Sequence, residues 1–216
     1  YIDNISFIDK IPRFKDVTAR EKIKDKYLEP DEVTSLLSAI EKTGLWYWYY
    51  LTKFLILSGL RSGEAIALTN DDIDLKDRVI HVTKTYDSNN KIITTPKTAC
   101  SIRDVFIQDE LFTLIKKIMR YMKELKLAKG TRNNYFMVDT NGNVMNYAVY
   151  EKFLRNICKK VISKKVTAHT LRHTHASLLL AEGISVDTIS RRLGHENSKI
   201  TREIYLHITN KLKQKD

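Results

Sequence analysis

The sequence predicts a mixed α+β domain, mostly helical, with a small three-stranded antiparallel sheet. Three observations carry this. Apolar residues recur at helical spacing over long stretches on both sides of the middle of the chain. The alternating, β-branched segments are confined to residues 79–107. With 216 residues, 43% of them hydrophobic, the chain can bury a sizeable core without staples.

Residues 1–26 are charge-rich with scattered apolar positions and read as a linker. From Tyr27 the pattern tightens. Pro30 suits a first helical position, Asp31 and Glu32 its positive end, and Val33, Leu36, Leu37 and Ile40 share one face up to Gly44. The run WYWYYLTKFLILS is apolar almost throughout, as expected of a helix buried on most sides and broken by Gly59. Arg61-Ser62-Gly63-Glu64 opens another helical turn, with a cation and a carboxylate close together. Arg61 could grip an anion there, or form a surface ion pair.

Residues 70–77 (NDDIDLKD) form an acidic turn that lacks the glycine and terminal glutamate of a calcium loop, so capping is the expected role. Three strand segments follow, 79–86, 91–95 and 102–107, with a hairpin turn at Ser88-Asn89-Asn90. Leu111, Leu114, Ile115, Ile118, Met122 and Leu125 mark an amphipathic helix ending before Gly130. A short strand over 134–138, a turn over 139–143 and a helix over 147–161 come next. Residues 169–181 are helical, Ser185 caps a short helix to Leu193, and a final helix runs from about Ser198 to Tyr205.

Lys and Arg total 37 against 26 Asp and Glu, a net charge of +11, which favours a polyanionic partner. Cys100 and Cys158 are too isolated for a disulfide framework or a cysteine-based zinc site. An intracellular, cytoplasmic setting fits. No apolar run approaches the roughly 20 residues that span a bilayer, so no membrane partner is expected. The chain begins at Tyr1 and reads as a piece of something longer.

Five of the six histidines fall between His169 and His207, interleaved with Arg172 and Tyr205. Four separated pieces combine: Arg61 in LSGLRSGE, Lys97 on a turn, His169 and Arg172 as H-x-x-R, and His195 in LGH followed by Tyr205. In this order, with the strings HTLRHTHASLLLAEG and RRLGH, the chain from about Tyr27 to Ile208 resembles the tyrosine recombinases, specifically the catalytic domain of phage and transposon integrases.

The residue types suit that chemistry on their own terms. Cutting a phosphodiester without a metal or cofactor needs a nucleophile, charge stabilisation and an acid for the leaving oxygen. Tyr205 can attack, given positive surroundings that favour its phenolate or a base to take the proton of a phenol of pKa about 10. Arg61 and Arg172 can fork onto non-bridging oxygens, and the H-x-x-R spacing sets His169 one helical turn from Arg172.

The resemblance implies further roles. His169 assists proton transfer at Tyr205, Lys97 is the acid for the 5′ oxygen, His195 bonds the phosphate, and Glu64 orients the basic cluster. The product is a 3′-phosphotyrosyl link. Lys84, Lys91 and Arg103 flank the same hairpin as Lys97. His173, His175 and His207 read as structural. The resemblance also implies double-stranded DNA attachment sites, a tetramer on DNA, and room for a directionality factor. It divides the chain into 1–26 (linker or the end of a missing core-binding domain), a catalytic domain over 27–208, and a basic tail over 209–216.

Two rivals remain at this stage. Residues 186–205 could form a helix-turn-helix of a non-enzymatic DNA-binding regulator, with Lys199, Thr201 and Arg202 facing bases. That reading leaves Arg61, Lys97 and H-x-x-R unused. A topoisomerase-like or telomere-resolving phosphotyrosyl enzyme would keep the chemistry and change the biology.

Overall fold

The computed structural model describes residues 26–96, 98–162, 164–194 and 206. Its described helices are α1 (Pro30–Glu41), α2 (Trp46–Ser58), α3 (Ser62–Ala67), α4 (Asp109–Lys129), α5 (Tyr147–Val161), α6 (Ala168–Ala181) and α7 (Val186–Leu193). The strands are β1 (Ile73–Asp74), β2 (Val79–Val82), β3 (Thr85–Asp87), β4 (Ile92–Thr94) and β5 (Arg103–Phe106). The α+β class and its helical majority stand as the sequence predicts. No described helix is long and apolar enough to cross a membrane.

Helix α2 is the pillar. Its Trp48, Leu51, Phe54, Leu55 and Ile56 are buried, and it packs against α1, α4 and α6. Thr52 and Tyr150 bond hydroxyl to hydroxyl at 3.0 Å inside this core, and the Trp48 and Tyr150 rings lie 5.2 Å apart. Helix α1 begins at Pro30, where the Glu32 carboxylate accepts from the Glu29 amide at 2.8 Å. Asn146, Thr167 and Ser185 cap α5, α6 and α7 through side-chain oxygens, so orphan amides at three helix starts are satisfied locally. A smaller apolar cluster of Tyr27, Ala176, Leu180, Ile189 and Leu193 seats α7 on α6.

The sheet departs from the expected arrangement. The first predicted strand is two: β2 ends at Val82 and β3 starts at Thr85. Lys84, in the gap, reaches back to Asp72 at 2.7 Å and to the Thr69 hydroxyl at 3.2 Å, which turns the backbone out of the ladder. The three-stranded antiparallel sheet is therefore β1-β2-β5, with Ile80 opposite Val105, and β3-β4 is a separate hairpin. The acidic turn supplies both a 3₁₀ turn over Asn70–Asp72 and the short strand β1. The strand expected over 134–138 reduces to one bridge between Thr69 and Tyr135. Its Phe136, Met137 and Val138 are buried as core anchors, with Phe136 5.3 Å from the Phe54 ring, which explains their strand-like composition.

Candidate active site

The site is built where α2 gives way to α3, beside β5 and the ends of α6 and α7. Gly59 closes α2 in the left-handed conformation (φ 69°), and a Cβ there would run into the His175 ring and lie 2.8 Å from Leu193. This close approach brings the α2–α3 turn against α6 and α7. Arg61 is the N-cap residue of α3, and Glu64 sits one turn on.

Glu64 is 2% exposed. Its carboxylate accepts from Arg61 twice, from the amide at 2.8 Å and from a terminal guanidinium nitrogen at 2.7 Å. It also accepts a two-pronged contact from Arg103 of β5, at 2.9 and 3.0 Å. Burial alone pushes the Glu64 carboxyl upward. Hydrogen bonds and charge from Arg103, the Arg61 amide and the Arg172 charge outweigh it and hold the group below the ordinary carboxylate range. The expected choice between anion grip and surface ion pair at Arg61 resolves differently: the carboxylate is interior, while Arg61 itself keeps a side-chain exposure of 35%.

Arg172 lies on α6 at 3% exposure. It donates to the Gly59 carbonyl at 2.7 Å and to the Leu193 carbonyl. Burial, then Arg61, with a smaller push from Arg103, lowers its guanidinium to about 9, and Glu64 opposes the shift, so it stays charged at neutral pH. His169, one turn earlier on the same helix, is exposed.

The C-terminus of α7 completes the arrangement. A helix leaves its last carbonyls without intrahelical partners and carries partial negative charge there. Each of the three at this end is taken by a different arginine: Arg192 O by Arg103 at 2.7 Å, Leu193 O by Arg172, and Gly194 O by Arg61 at 3.1 Å. Gly194 is the left-handed cap (φ 64°). Among the described residues the cluster holds three guanidiniums around one carboxylate, an excess of two positive charges. That excess suits a phosphodiester, and suits better the added negative charge of its transition state.

Of the predicted residues, Arg61, Glu64 and Arg172 meet in this cluster, and His169 lies exposed one turn before Arg172 on α6. Lys97, His195 and Tyr205 lie outside the described residues. Among their described chain neighbours, Gly194, before His195, bonds Arg61, and Thr98, after Lys97, shares a 2.9 Å bond with the Ser101 hydroxyl, which accepts from Arg61 at 3.4 Å. Sequence reasoning missed Arg103 as the second partner of Glu64. The available signal was strand alternation, which puts Arg103 on the inward face of β5 with Val105.

His175 is structural. Its Nδ1 donates to the Ile56 carbonyl at 2.8 Å and its Nε2 accepts from Arg192 at 3.0 Å, a pairing only the neutral ring can make. Burial and the Arg192 charge lower it to about 3, and burial with His169 and Arg172 lowers His173 to about 4. Both folded values lie below the ordinary 6.5. Between them the unfolded chain takes up protons that the folded chain refuses. Stability present above pH 6.5 is therefore lost as pH falls, by about 1.4 kcal/mol per pH unit for each such histidine. Urea unfolding at about pH 7 and about pH 5 measures this, and equal stability at the two would contradict the assignment.

The model for the Phage integrase family matches residues 26–211, and the chain belongs to that family. It is 30% identical over 227 residues to the integrase of Staphylococcus phage L54a, covering 98% of this chain and 64% of the relative. It is 31% identical over 189 residues to the ICEBs1 integrase of Bacillus subtilis (strain 168), covering 86% and 51%. The chain thus spans less than two thirds of either. Among solved structures, the XerA recombinase is similar at a TM-score of 0.67 and 25% identity, over 87% of this chain and 62% of that one. The Tn1549 transposon integrase in complex with transposon right-end DNA shares the fold at a TM-score of 0.69 and 23% identity, over 87% and 65%.

Proposed function

We propose that this chain is the catalytic domain of a site-specific DNA recombinase that integrates or excises a mobile element through a 3′-phosphotyrosyl intermediate. Tyr205 attacks the phosphorus. Arg61 and Arg172 neutralise the non-bridging oxygens, assisted by His195, while His169 manages the tyrosine proton and Lys97 protonates the leaving 5′ oxygen. Because the phosphotyrosyl link conserves the bond energy, strands rejoin without ATP, metal or other cofactor. The observation that carries the reading is the convergence of Arg61, bonded to Glu64, and Arg172 on the carbonyls at the end of α7, with an excess of two positive charges among the described residues.

The partners under this reading are double-stranded attachment sites, three further copies in a tetramer on DNA, and room for a directionality factor. The site of action is the bacterial cytoplasm. Residues 1–26 serve as a linker or as the end of a core-binding domain, 27–208 as the catalytic domain and 209–216 as a basic tail. The helix-turn-helix alternative is disfavoured because the end of α7 is bound internally by three arginines, which a helix presenting its neighbour to a groove does not require. The test is covalent capture. Incubated with a pool of nicked duplexes of randomised sequence and excess chelator, the chain forms a DNA adduct that survives denaturing electrophoresis. An adduct that depends on added metal, or none with any duplex, overturns the proposal.

A further inference from the structure

Arg61 and Arg103 share one carboxylate but differ in what else they can reach. The Arg103 side chain is 7% exposed, against 35% for Arg61. Four of its five N–H groups end inside the protein: Nε on Arg192 O at 2.7 Å, one terminal nitrogen on Glu64 at 3.0 Å and Ser101 O at 3.0 Å, and the other on Glu64 at 2.9 Å. The end of α7 also rests on its stem. A Cβ added to Gly194 would lie 3.0 Å from Arg103 Cδ and 2.6 Å from the Cys100 carbonyl oxygen.

A buried carboxylate must be compensated by a cation. Among the described residues Glu64 has two bonded to it: Arg103, with four of its five N–H groups already committed to protein acceptors, and Arg61, which keeps a side-chain exposure of 35%. Were Arg61 the sole partner, its charge would be spent on Glu64 and withheld from a phosphate. A second, permanently interior guanidinium satisfies Glu64 and leaves Arg61 oriented by the carboxylate without being neutralised by it.

We propose that Arg103 is a positioning residue for the strand-transfer reaction: without touching DNA, it balances Glu64 and seats Gly194, keeping the Arg61 charge available to the phosphate. The inference rests on the recombinase reading. It predicts a loss in the chemical step rather than in DNA binding, since the charge matters most where negative charge develops.

The test uses the full chain and the same pool of nicked duplexes, with thermal melts to establish folding. Arg103→Ala is expected to slow adduct formation at saturating DNA about 10-fold or more while DNA affinity changes by less than about 3-fold. Arg103→Met keeps the stem under Gly194 and removes the charge, so it serves if the alanine variant unfolds and should show the same loss. Arg103→Lys restores charge and should recover part of the rate. The decisive comparison adds Glu64→Gln to the uncharged variant, which removes the carboxylate that would otherwise neutralise Arg61. The double variant should be faster than the Arg103 variant alone, an outcome that a purely structural role does not produce.

A wild-type rate in Arg103→Met, or a double variant slower than the single, overturns the proposal. If the wild-type chain captures no duplex, the recombinase reading fails, and the Arg103 inference is decided without DNA by carboxyl NMR. Its Glu64 titration must move to higher pH in Arg103→Met. An unchanged titration overturns it.

Discussion

Tyr205→Phe abolishes the covalent DNA adduct, while excess chelator leaves the wild-type adduct intact. The substitution removes one oxygen and keeps the ring, so folding is preserved and the nucleophile alone is lost. A phenol of pKa about 10 is a poor nucleophile at neutral pH unless positive charge favours its ionised form. The excess of two positive charges among the described residues around Glu64 is a source of such a field. Tyr150, the most deeply buried described tyrosine, does not compete: it is bonded to Thr52 in the core and pushed well above its ordinary value by burial. The expected residual is background, read on a denaturing gel with end-labelled duplex. Normal trapping in the variant would sink the mechanism.

Lys97→Ala should slow cleavage by about 10² to 10⁴-fold, the usual scale of a lost general acid, with Lys84→Ala and Lys91→Ala far milder. The structure sharpens this ordering. Lys84 is bound to Asp72 at 2.7 Å and to Thr69, where it holds the turn between β2 and β3. Its removal should therefore lower the melting temperature rather than the rate at lower temperature. Lys91 is exposed on the β3-β4 turn, in a left-handed conformation (φ 56°). A substrate with a better 5′ leaving group should restore Lys97→Ala, because such an oxygen needs no proton to depart. If Lys84→Ala or Lys91→Ala proves the slower enzyme, the acid is misassigned.

How much of this was legible beforehand follows from the range of each signal. Helices α1, α2, α4, α5, α6 and α7 were readable because apolar spacing, caps and closing glycines act within a turn or two of chain. The H-x-x-R pair was readable for the same reason, since three residues on a helix is one face. The sheet was not. Which strand pairs with which depends on Lys84 meeting Asp72 across 12 residues, and on Val79–Val82 meeting Arg103–Phe106 across a hairpin that pairs with itself. The 134–138 segment misled because burial in a loop and burial in a strand select the same residues.

By itself, then, the sequence determined the mostly helical α+β class, the basic character, and the residues Arg61, Glu64, His169, Arg172, Lys97, His195 and Tyr205 as a set worth assembling. Only the tertiary structure decided that Glu64 is interior, that Arg103 is its second partner 39 residues away, and that three arginines divide the last carbonyls of α7 among them. The physical reason is the same in each case. A carboxylate or a carbonyl says nothing in sequence about which cation will compensate it, because that choice is made by burial, and burial is settled only when distant elements pack.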